Sequence, residues 1–248
     1  MLTCFGFNKI PTLMRLVPAT YLLLSISLTA LSQPQTSSRI DGIGRFKIGK
    51  TTTAIIDSLV AERGGKVKEI EEQPMLEAAT RSIYKLVPST KTNYTLNSSL
   101  CPDTEVYLLG QVEVAGIKIR QVYLIFYQNV LAEFRSKTSA ELSEALRLKF
   151  GKPTVDIRTK DEVCRYVRLG TEVVNKEVTE ITSWSDAGAR AKDVRMKHYD
   201  QKCNPIYSSY FSLSQEELLS AAIDCKKAWQ DKVNYQKERQ TRDKLKEF

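Results

Sequence analysis

The longest apolar block after the N-terminus runs from Glu105 to Pro153, and its pattern predicts three β-strands followed by a helix. In the second strand apolar residues fall on both faces, which is typical of a buried central strand. Such a strand is expected to form the centre of the hydrophobic core. The expected faces are Ile117, Ile119, Tyr123, Ile125 and Tyr127 on one side, and Val122, Leu124 and Phe126 on the other.

Turn and cap residues predict how these elements are connected. Ala115-Gly116 and Gln128-Asn129 tolerate positive φ angles and therefore suit tight hairpins. Thr138 and Glu141 have the spacing of a helix capping box, and Gly151 predicts the end of that helix. The pattern predicts an α+β fold, with antiparallel β-meander sheets and helices packed on one face.

The C-terminal region predicts one long helix. It begins at Ser214 or Gln215 and keeps a single apolar stripe as far as Val233. Residues 234–248 are almost wholly polar, so the helix is expected to continue there as a solvated extension.

The N-terminus has the composition of a secretory signal peptide. Lys9 and Arg15 form a weakly basic region, followed by an apolar run and by small residues at 30–32, so cleavage is predicted near Ser32. The run is interrupted and shorter than the roughly 20 apolar residues of a membrane span, so no span is expected after cleavage. An uncleaved N-terminal anchor is the alternative.

These signals divide the chain into four parts. The predicted α+β domain covers residues 44–233, either as one unit or as sub-domains of about 44–153 and 154–233. The other parts are a signal peptide (1–32), a flexible leader (33–43) and a charged helical tail (234–248).

Export changes what the charge implies. Removing Lys9 and Arg15 with the signal peptide lowers the formal net charge from +8 to +6. This excess is compatible with an acidic glycan or an envelope protein as partner. Basic and acidic segments alternate along the chain, so a nucleic-acid partner is not expected.

Four cysteines remain after cleavage, and an even number in an oxidising compartment favours two disulfides. Three pairings are open. Cys164 and Cys203 lie in strand-like segments and form the first predicted pair, which leaves Cys101 with Cys225. The chain has one histidine and no CxxC or CxxH pair, so neither a metal nor another cofactor is expected.

The segment GRFKIGKT fits the phosphate-binding loop pattern G-x-x-x-x-G-K-[ST]. Gly44, Gly49, Lys50 and Thr51 would then bind a nucleotide. A functional loop of this type follows a buried strand and needs an acidic Mg²⁺ ligand downstream. The sequence shows neither, so a nucleotide site is only the third functional hypothesis.

A structural interpretation of the same segment is preferred. It makes Phe46 and Ile48 a short strand or turn and Gly49 a bend. Thr51 or Thr52 would cap the helix that follows.

Tyrosines of the late strands give a candidate ligand surface beside basic residues. Tyr199, Tyr207 and Tyr210 could stack on sugars or bases next to Lys197. The alternative is that they are ordinary strand aromatics, alternating between core and surface.

Two segments resemble known groups of proteins. F-K-I-G-K-T before a helix is similar to the opening of small outer-membrane-assembly lipoproteins, although the chain lacks their lipobox cysteine. A second block resembles a strand–turn–strand–helix unit of uncharacterised secreted bacterial proteins, which implies a periplasmic or secreted scaffold without catalytic residues. Its matching residues are Phe126, Tyr127, Asn129, Leu131, Phe150, Gly151 and Pro153.

The sequence therefore predicts a secreted or periplasmic binding or structural module without enzymatic activity. No Ser/His/Asp, Cys/His or paired-carboxylate pattern stands out, and one histidine limits acid–base chemistry. Because two carboxylates suffice for glycoside hydrolysis, a carboxylate-dependent glycan hydrolase is the alternative.

Overall fold

The structure is a computed structural model that describes residues 39–71, 81–87, 101–166 and 170–246. These residues belong to one compact unit. The predicted signal peptide and residues 33–38 of the predicted leader lie outside the described residues. None of the described helices is long and apolar enough to cross a membrane.

The described residues form three helices and eleven strands. The helices are α1 (Ala54–Arg63), α2 (Ala140–Phe150) and α3 (Glu216–Leu245). The strands are β1 (Gly42–Ile43), β2 (Phe46–Lys47), β3 (Val67–Ile70), β4 (Ile83–Leu86), β5 (Thr104–Val114), β6 (Ile117–Tyr127), β7 (Val130–Ser136), β8 (Thr154–Tyr166), β9 (Thr171–Asp186), β10 (Ala189–Tyr199) and β11 (Pro205–Gln215).

Nine of these strands form one mixed sheet in the order β3-β4-β5-β6-β7-β11-β10-β9-β8. Only β3 and β4 are parallel, and the other neighbours pair in the antiparallel sense. The strands β1 and β2 form a separate hairpin. The α+β class is confirmed, with a single large sheet and the long C-terminal helix.

The two predicted hairpins of the central unit are confirmed. Ala115 and Gly116 join β5 to β6 with φ angles of 50° and 80°, and Gln128 and Asn129 join β6 to β7 with 47° and 67°. Two consecutive left-handed residues give a turn whose twist matches that of the strands. The turn chemistry was therefore sufficient to predict the local topology.

The predicted faces of β6 are wrong in one respect. Gln121 has a φ angle of 51°, which interrupts the alternation of side chains. As a result Ile119 joins Val122 in the larger hydrophobic cluster, whereas Tyr123 and Ile125 belong to the smaller one. The irregularity moves the residues after Gln121 to the opposite face. A prediction that assumes strict alternation of side chains along the strand cannot show this.

The larger cluster combines one face of the sheet with α1, α2 and the β1–β2 hairpin. It contains Phe46, Leu59, Phe134 and Leu146, all buried. No residue of α3 belongs to this cluster; α3 contacts β6, β7 and β11 and buries Ala222. The helices α1 and α2 therefore pack on the same face of the sheet, as predicted. For α3, packing on that face stays a prediction.

The predicted leader is too long. Ile40 and Ile43 are buried in the larger cluster, and Gly42–Ile43 pairs with Phe46–Lys47 as the first hairpin. The chain therefore enters the core by residue 40. Burial of the Ile40 and Ile43 side chains removes apolar surface from water, which stabilises this arrangement over a solvated leader.

The helix starts differ from the predicted caps by one or two residues. Ser139, with an extended backbone, caps α2 and accepts a hydrogen bond from Leu142 N at 3.2 Å, in place of Thr138. At α1 the N-cap is Thr53, in place of Thr51 or Thr52, and at α3 it is Gln215, one of the two residues at which this helix was expected to begin. Neither of these two caps makes a side-chain cap bond, so sequence patterns of side-chain capping cannot locate them.

Candidate functional site

A cavity of about 440 Å³ lies between the first turn of α2 and the outer parts of β9, β10 and β11. We call it the α2 groove. Its floor is formed by one face of the sheet, and Ser139 and Ala140 form its edge. The floor residues that matter below are Val178, Glu180, Arg195, Lys197, Tyr207 and Ser209.

Strand register places the basic residues of the α2 groove beside a tyrosine. Lys197 lies directly opposite Tyr207, and Arg195 lies opposite Ser209. Tyr199 follows Lys197 on the same face, and Lys197 Nζ lies 5.3 Å from the centre of its ring. The Tyr207 side chain is 73% exposed, so its ring faces solvent across the groove.

Three of the four residues predicted as a ligand surface thus share one face. A hydrogen bond from Lys197 to Tyr199 raises the pKa of the ammonium group. The fourth residue, Tyr210, lies opposite Val194. The centre of its ring is 5.7 Å from Cζ of the Arg135 guanidinium. Its strand position puts it on the other face of the sheet, away from the α2 groove.

A second cavity of about 480 Å³ flanks the start of α2, and it shares Thr138 and Ser139 with the α2 groove. Lys118, Arg120 and Lys137 line it. The sequence interpretation missed these residues and Arg195. A signal was available in the sequence: two basic residues stand at positions i and i+2 on β6 and again on β10. This spacing puts both charges on one face of the strand.

The first amides of α2 are already hydrogen-bonded within the chain. Leu142 N donates to Ser139 Oγ, and Ser143 N donates to the Ser139 carbonyl at 3.0 Å. The pKa of Glu141 is lowered by a hydrogen bond from its own amide and by one from Ser139. An anionic ligand would therefore meet basic side chains here and not a free helix terminus.

A buried polar contact fixes α2 against β10. Ser143 Oγ donates to Asp193 Oδ2 at 2.5 Å, and Arg195 Nη2 donates to Ser143 Oγ at 3.1 Å. Asp193 is only 4% exposed. The contact positions Arg195 at the groove and couples the groove to the packing of the helix.

The amides of residues 47–51 are not free, as those of a phosphate-binding loop would be. Lys47 N donates to Thr51 Oγ1 and Gly49 N to the Leu131 carbonyl, both at 2.8 Å. The amides of residues 48, 50 and 51 are also bonded to carbonyls of the chain. Phosphate binding needs such amides to point at the ligand, so this geometry favours the structural interpretation.

The side chains of the same segment likewise serve the fold. Phe46 begins the short strand β2, and both Phe46 and Ile48 are buried. Thr51 Oγ1 donates to the Arg45 carbonyl at 3.1 Å. Lys50 lies beside a separate cavity of about 130 Å³, together with Asp186 and Gln215, and does not reach the α2 groove.

Two possible centres of acid–base or metal chemistry are occupied by structural bonds. Asp200 accepts hydrogen bonds from Lys202 N and Asn204 N, both at 2.8 Å, and these hold the turn between β10 and β11. Cys101, Asp103 and Cys225 bring three potential metal-ligand atoms together. Both sulfurs are in a disulfide, so they cannot bind a metal as thiolates.

The predicted cysteine pairs are confirmed. Cys101 is bonded to Cys225, and Cys164 is bonded to Cys203, each with 5.7 Å between the Cα atoms. Disulfides persist in oxidising compartments. The two bonds are consistent with an extracellular or periplasmic protein.

No family model, curated protein or solved structure matches the chain. The resemblances to secreted proteins and to assembly lipoproteins therefore stay expectations. The functional conclusion rests on the geometry of the α2 groove.

Proposed function

We propose that this chain is a secreted or periplasmic binding module without enzymatic activity, and that its α2 groove holds an acidic glycan. Export would use the N-terminal signal peptide, with cleavage near Ser32. The proposal is carried by one observation: Arg195, Lys197 and the exposed ring of Tyr207 line a single concave surface.

The chemistry of this surface suits a charged sugar. Arginine and lysine form strong, charge-assisted hydrogen bonds with carboxylates and sulfates. An exposed tyrosine ring offers an apolar plane on which a sugar ring can stack, in the way that aromatic side chains stack on nucleobases. The volume lies within the roughly 300–1,000 Å³ usual for small-ligand sites, which is enough for a few sugar units.

Net positive charge extends beyond the α2 groove. Lys118, Arg120 and Lys137 line the neighbouring cavity. In the part of the chain that the structure describes, each of the two cavities has one acidic lining residue, Glu180 in the α2 groove and Glu141 in its neighbour. Neighbouring sites of the same sign raise the local concentration of an oppositely charged polymer. A long acidic chain could therefore cross the start of α2 and contact both cavities.

The same residues argue against the hydrolase alternative. Glycoside hydrolysis usually requires two carboxyl groups that face each other across the bond to be cleaved. Among the described residues, each cavity is lined by a single carboxyl group. We therefore expect binding without turnover.

Binding can be measured by calorimetry with polygalacturonate and alginate fragments, and with neutral dextran for comparison. We expect the wild type to bind the acidic polymers, more weakly as salt is added. The double variant Lys197→Ala/Tyr207→Ala should bind at least about tenfold more weakly, which corresponds to roughly 1.4 kcal/mol.

A matched control removes the same residue types at a distance. Lys244→Ala/Tyr235→Ala alters two exposed side chains of α3 and should leave the affinity unchanged. An equal loss of affinity in both double variants would mean that only the net charge matters, and would show that the α2 groove is not the binding site. New reducing ends in the polymer after incubation would contradict the absence of enzymatic activity.

A further inference from the structure

The strand β8 is a long edge of the nine-stranded sheet. It pairs with β9 along all 13 of its residues, and no strand of the described part of the chain pairs with its other side. Backbone N–H and C=O groups on a free edge are available to another strand. The opposite edge, β3, has only four residues, and Lys68 and Glu69 stand in its middle.

Apolar side chains of β8 are exposed to an unusual degree. Val155, Ile157 and Val163 lie on one face of the strand and are 51%, 63% and 52% exposed. Val174 of the adjacent strand lies opposite Val163 and is 61% exposed. Natural sheets often protect long edges by bulges or a covering element, and neither is present on β8 among the described residues. A regular edge of this length with exposed valine and isoleucine side chains can therefore accept a partner strand.

The charges of β8 are arranged so that the strand is complementary to itself. Its other face carries Asp156, Arg158, Lys160 and Glu162, all exposed or half-exposed. In an antiparallel pair of identical strands, residues equally distant from the two-fold axis face each other. With the axis at Lys160, Arg158 faces Glu162 of the second copy, and this contact occurs twice.

We propose that β8 pairs in the antiparallel sense with β8 of a second copy of this chain, around a two-fold axis at Lys160. Thr154 then faces the partner's Tyr166, so the whole strand is paired. On the apolar face, Ile157 packs against the partner's Val163, again twice. The product is one continuous sheet of eighteen strands across two copies.

Neighbouring registers are less favourable. An axis at Thr159 places Asp156 against the partner's Glu162, and Arg158 against the partner's Lys160, so every charged pair on that face is repulsive. An axis at Asp161 places Lys160 against the partner's Glu162, which is favourable, but it also places Asp161 against itself and leaves Thr154 and Val155 unpaired. Register is therefore selected by charge and length together.

The two Lys160 side chains at the axis do not oppose this arrangement. Within one chain, Lys160 Nζ already lies 3.5 Å from Glu162 and 3.6 Å from Glu177. The two lysines would thus be surrounded by four carboxylates. Like charges opposite each other cost only a few tenths of a kcal/mol to about 1 kcal/mol when they are exposed.

A contact made by one strand from each copy is smaller than most stable dimer interfaces, so we expect a reversible dimer. Sedimentation velocity from about 10 µM to about 500 µM should show a concentration-dependent monomer–dimer equilibrium. Arg158→Glu and Glu162→Arg should each raise the dissociation constant at least about tenfold. The double variant Arg158→Glu/Glu162→Arg restores opposite charges and should recover most of the affinity.

The control variants Lys68→Glu and Glu69→Lys change the same charges on β3 and should not affect dimerisation. Circular dichroism and the unfolding midpoint check that each variant is folded. A wild type that stays monomeric to the highest concentration overturns the proposal. So does a dimer that survives both single charge reversals unchanged.

Discussion

Gly49 packs directly against the side chain of Gln215: a Cβ atom on Gly49 would lie 2.2 Å from Gln215 Oε1. Gly49 also has a φ angle of 69°, which favours glycine. The contact joins the segment after β2 to the end of β11, the strand that leads into α3. The second glycine of the apparent phosphate-loop pattern is therefore explained by packing.

The variant Gly49→Ala should be destabilised by two separate effects. A left-handed alanine costs roughly 1–2 kcal/mol. The added Cβ meets the far end of a flexible side chain, so moving Gln215 out of its rotamer adds about 0.5–1.5 kcal/mol. Chemical denaturation should show a loss of about 1.5–3.5 kcal/mol in the free energy of unfolding.

Gly64→Ala provides the control for this experiment. Its φ angle is 59°, and nothing lies within 4 Å of the added Cβ, so only the backbone cost should appear. Gln215→Ala introduced together with Gly49→Ala should recover the packing part of the loss. Equal losses at Gly49 and Gly64 would show that the contact with Gln215 carries no energy.

The stability of the protein should depend on Thr51 and hardly on Lys50, and neither residue should bind a nucleotide. Thr51 Oγ1 accepts from Lys47 N and donates to the Arg45 carbonyl, so Thr51→Val should cost about 1–3 kcal/mol of stability. Thr51→Ser keeps the hydroxyl and should retain most of it. Lys50 is exposed, and Lys50→Ala should change the free energy of unfolding by less than about 0.5 kcal/mol.

Calorimetry with Mg-ATP completes this comparison. We expect no binding heat from the wild type, because the amides of the loop are bonded within the chain. Binding by the wild type that is lost in Lys50→Ala would instead establish a nucleotide site.

Local features of the fold were predictable because they depend on neighbouring residues. The hairpin at Gln128-Asn129 follows from two residues that tolerate positive φ. The end of α2 at Gly151 follows in the same way. The irregularity at Gln121 has no comparable signal, since a glutamine at positive φ is imposed by the surrounding sheet.

The site was predictable only where its residues belong to one hairpin. Lys197 and Tyr207 could be found because β10 and β11 are adjacent in sequence. Lys118 and Lys137 meet the start of α2 through the pairing of β5, β6 and β7, and no local pattern states which cavity they line. Arg195 is held by Ser143, which is 52 residues away in sequence.

The two disulfides should contribute unequally to stability. Cys101 and Cys225 are separated by 124 residues, and Cys164 and Cys203 by 39. Because a longer closed loop removes more entropy from the unfolded chain, the expected contributions are about 5 and about 4 kcal/mol in the chain-entropy model.

Denaturation of Cys101→Ala/Cys225→Ala and of Cys164→Ala/Cys203→Ala should therefore show the larger loss for the first pair. The first pair also fastens α3 to the chain just before β5, so its removal should increase hydrogen exchange along α3. The second pair ties β8 to the turn between β10 and β11, and its loss should leave exchange in α3 unchanged. Four free thiols in the denatured, non-reduced protein would contradict both bonds and the oxidising compartment they imply.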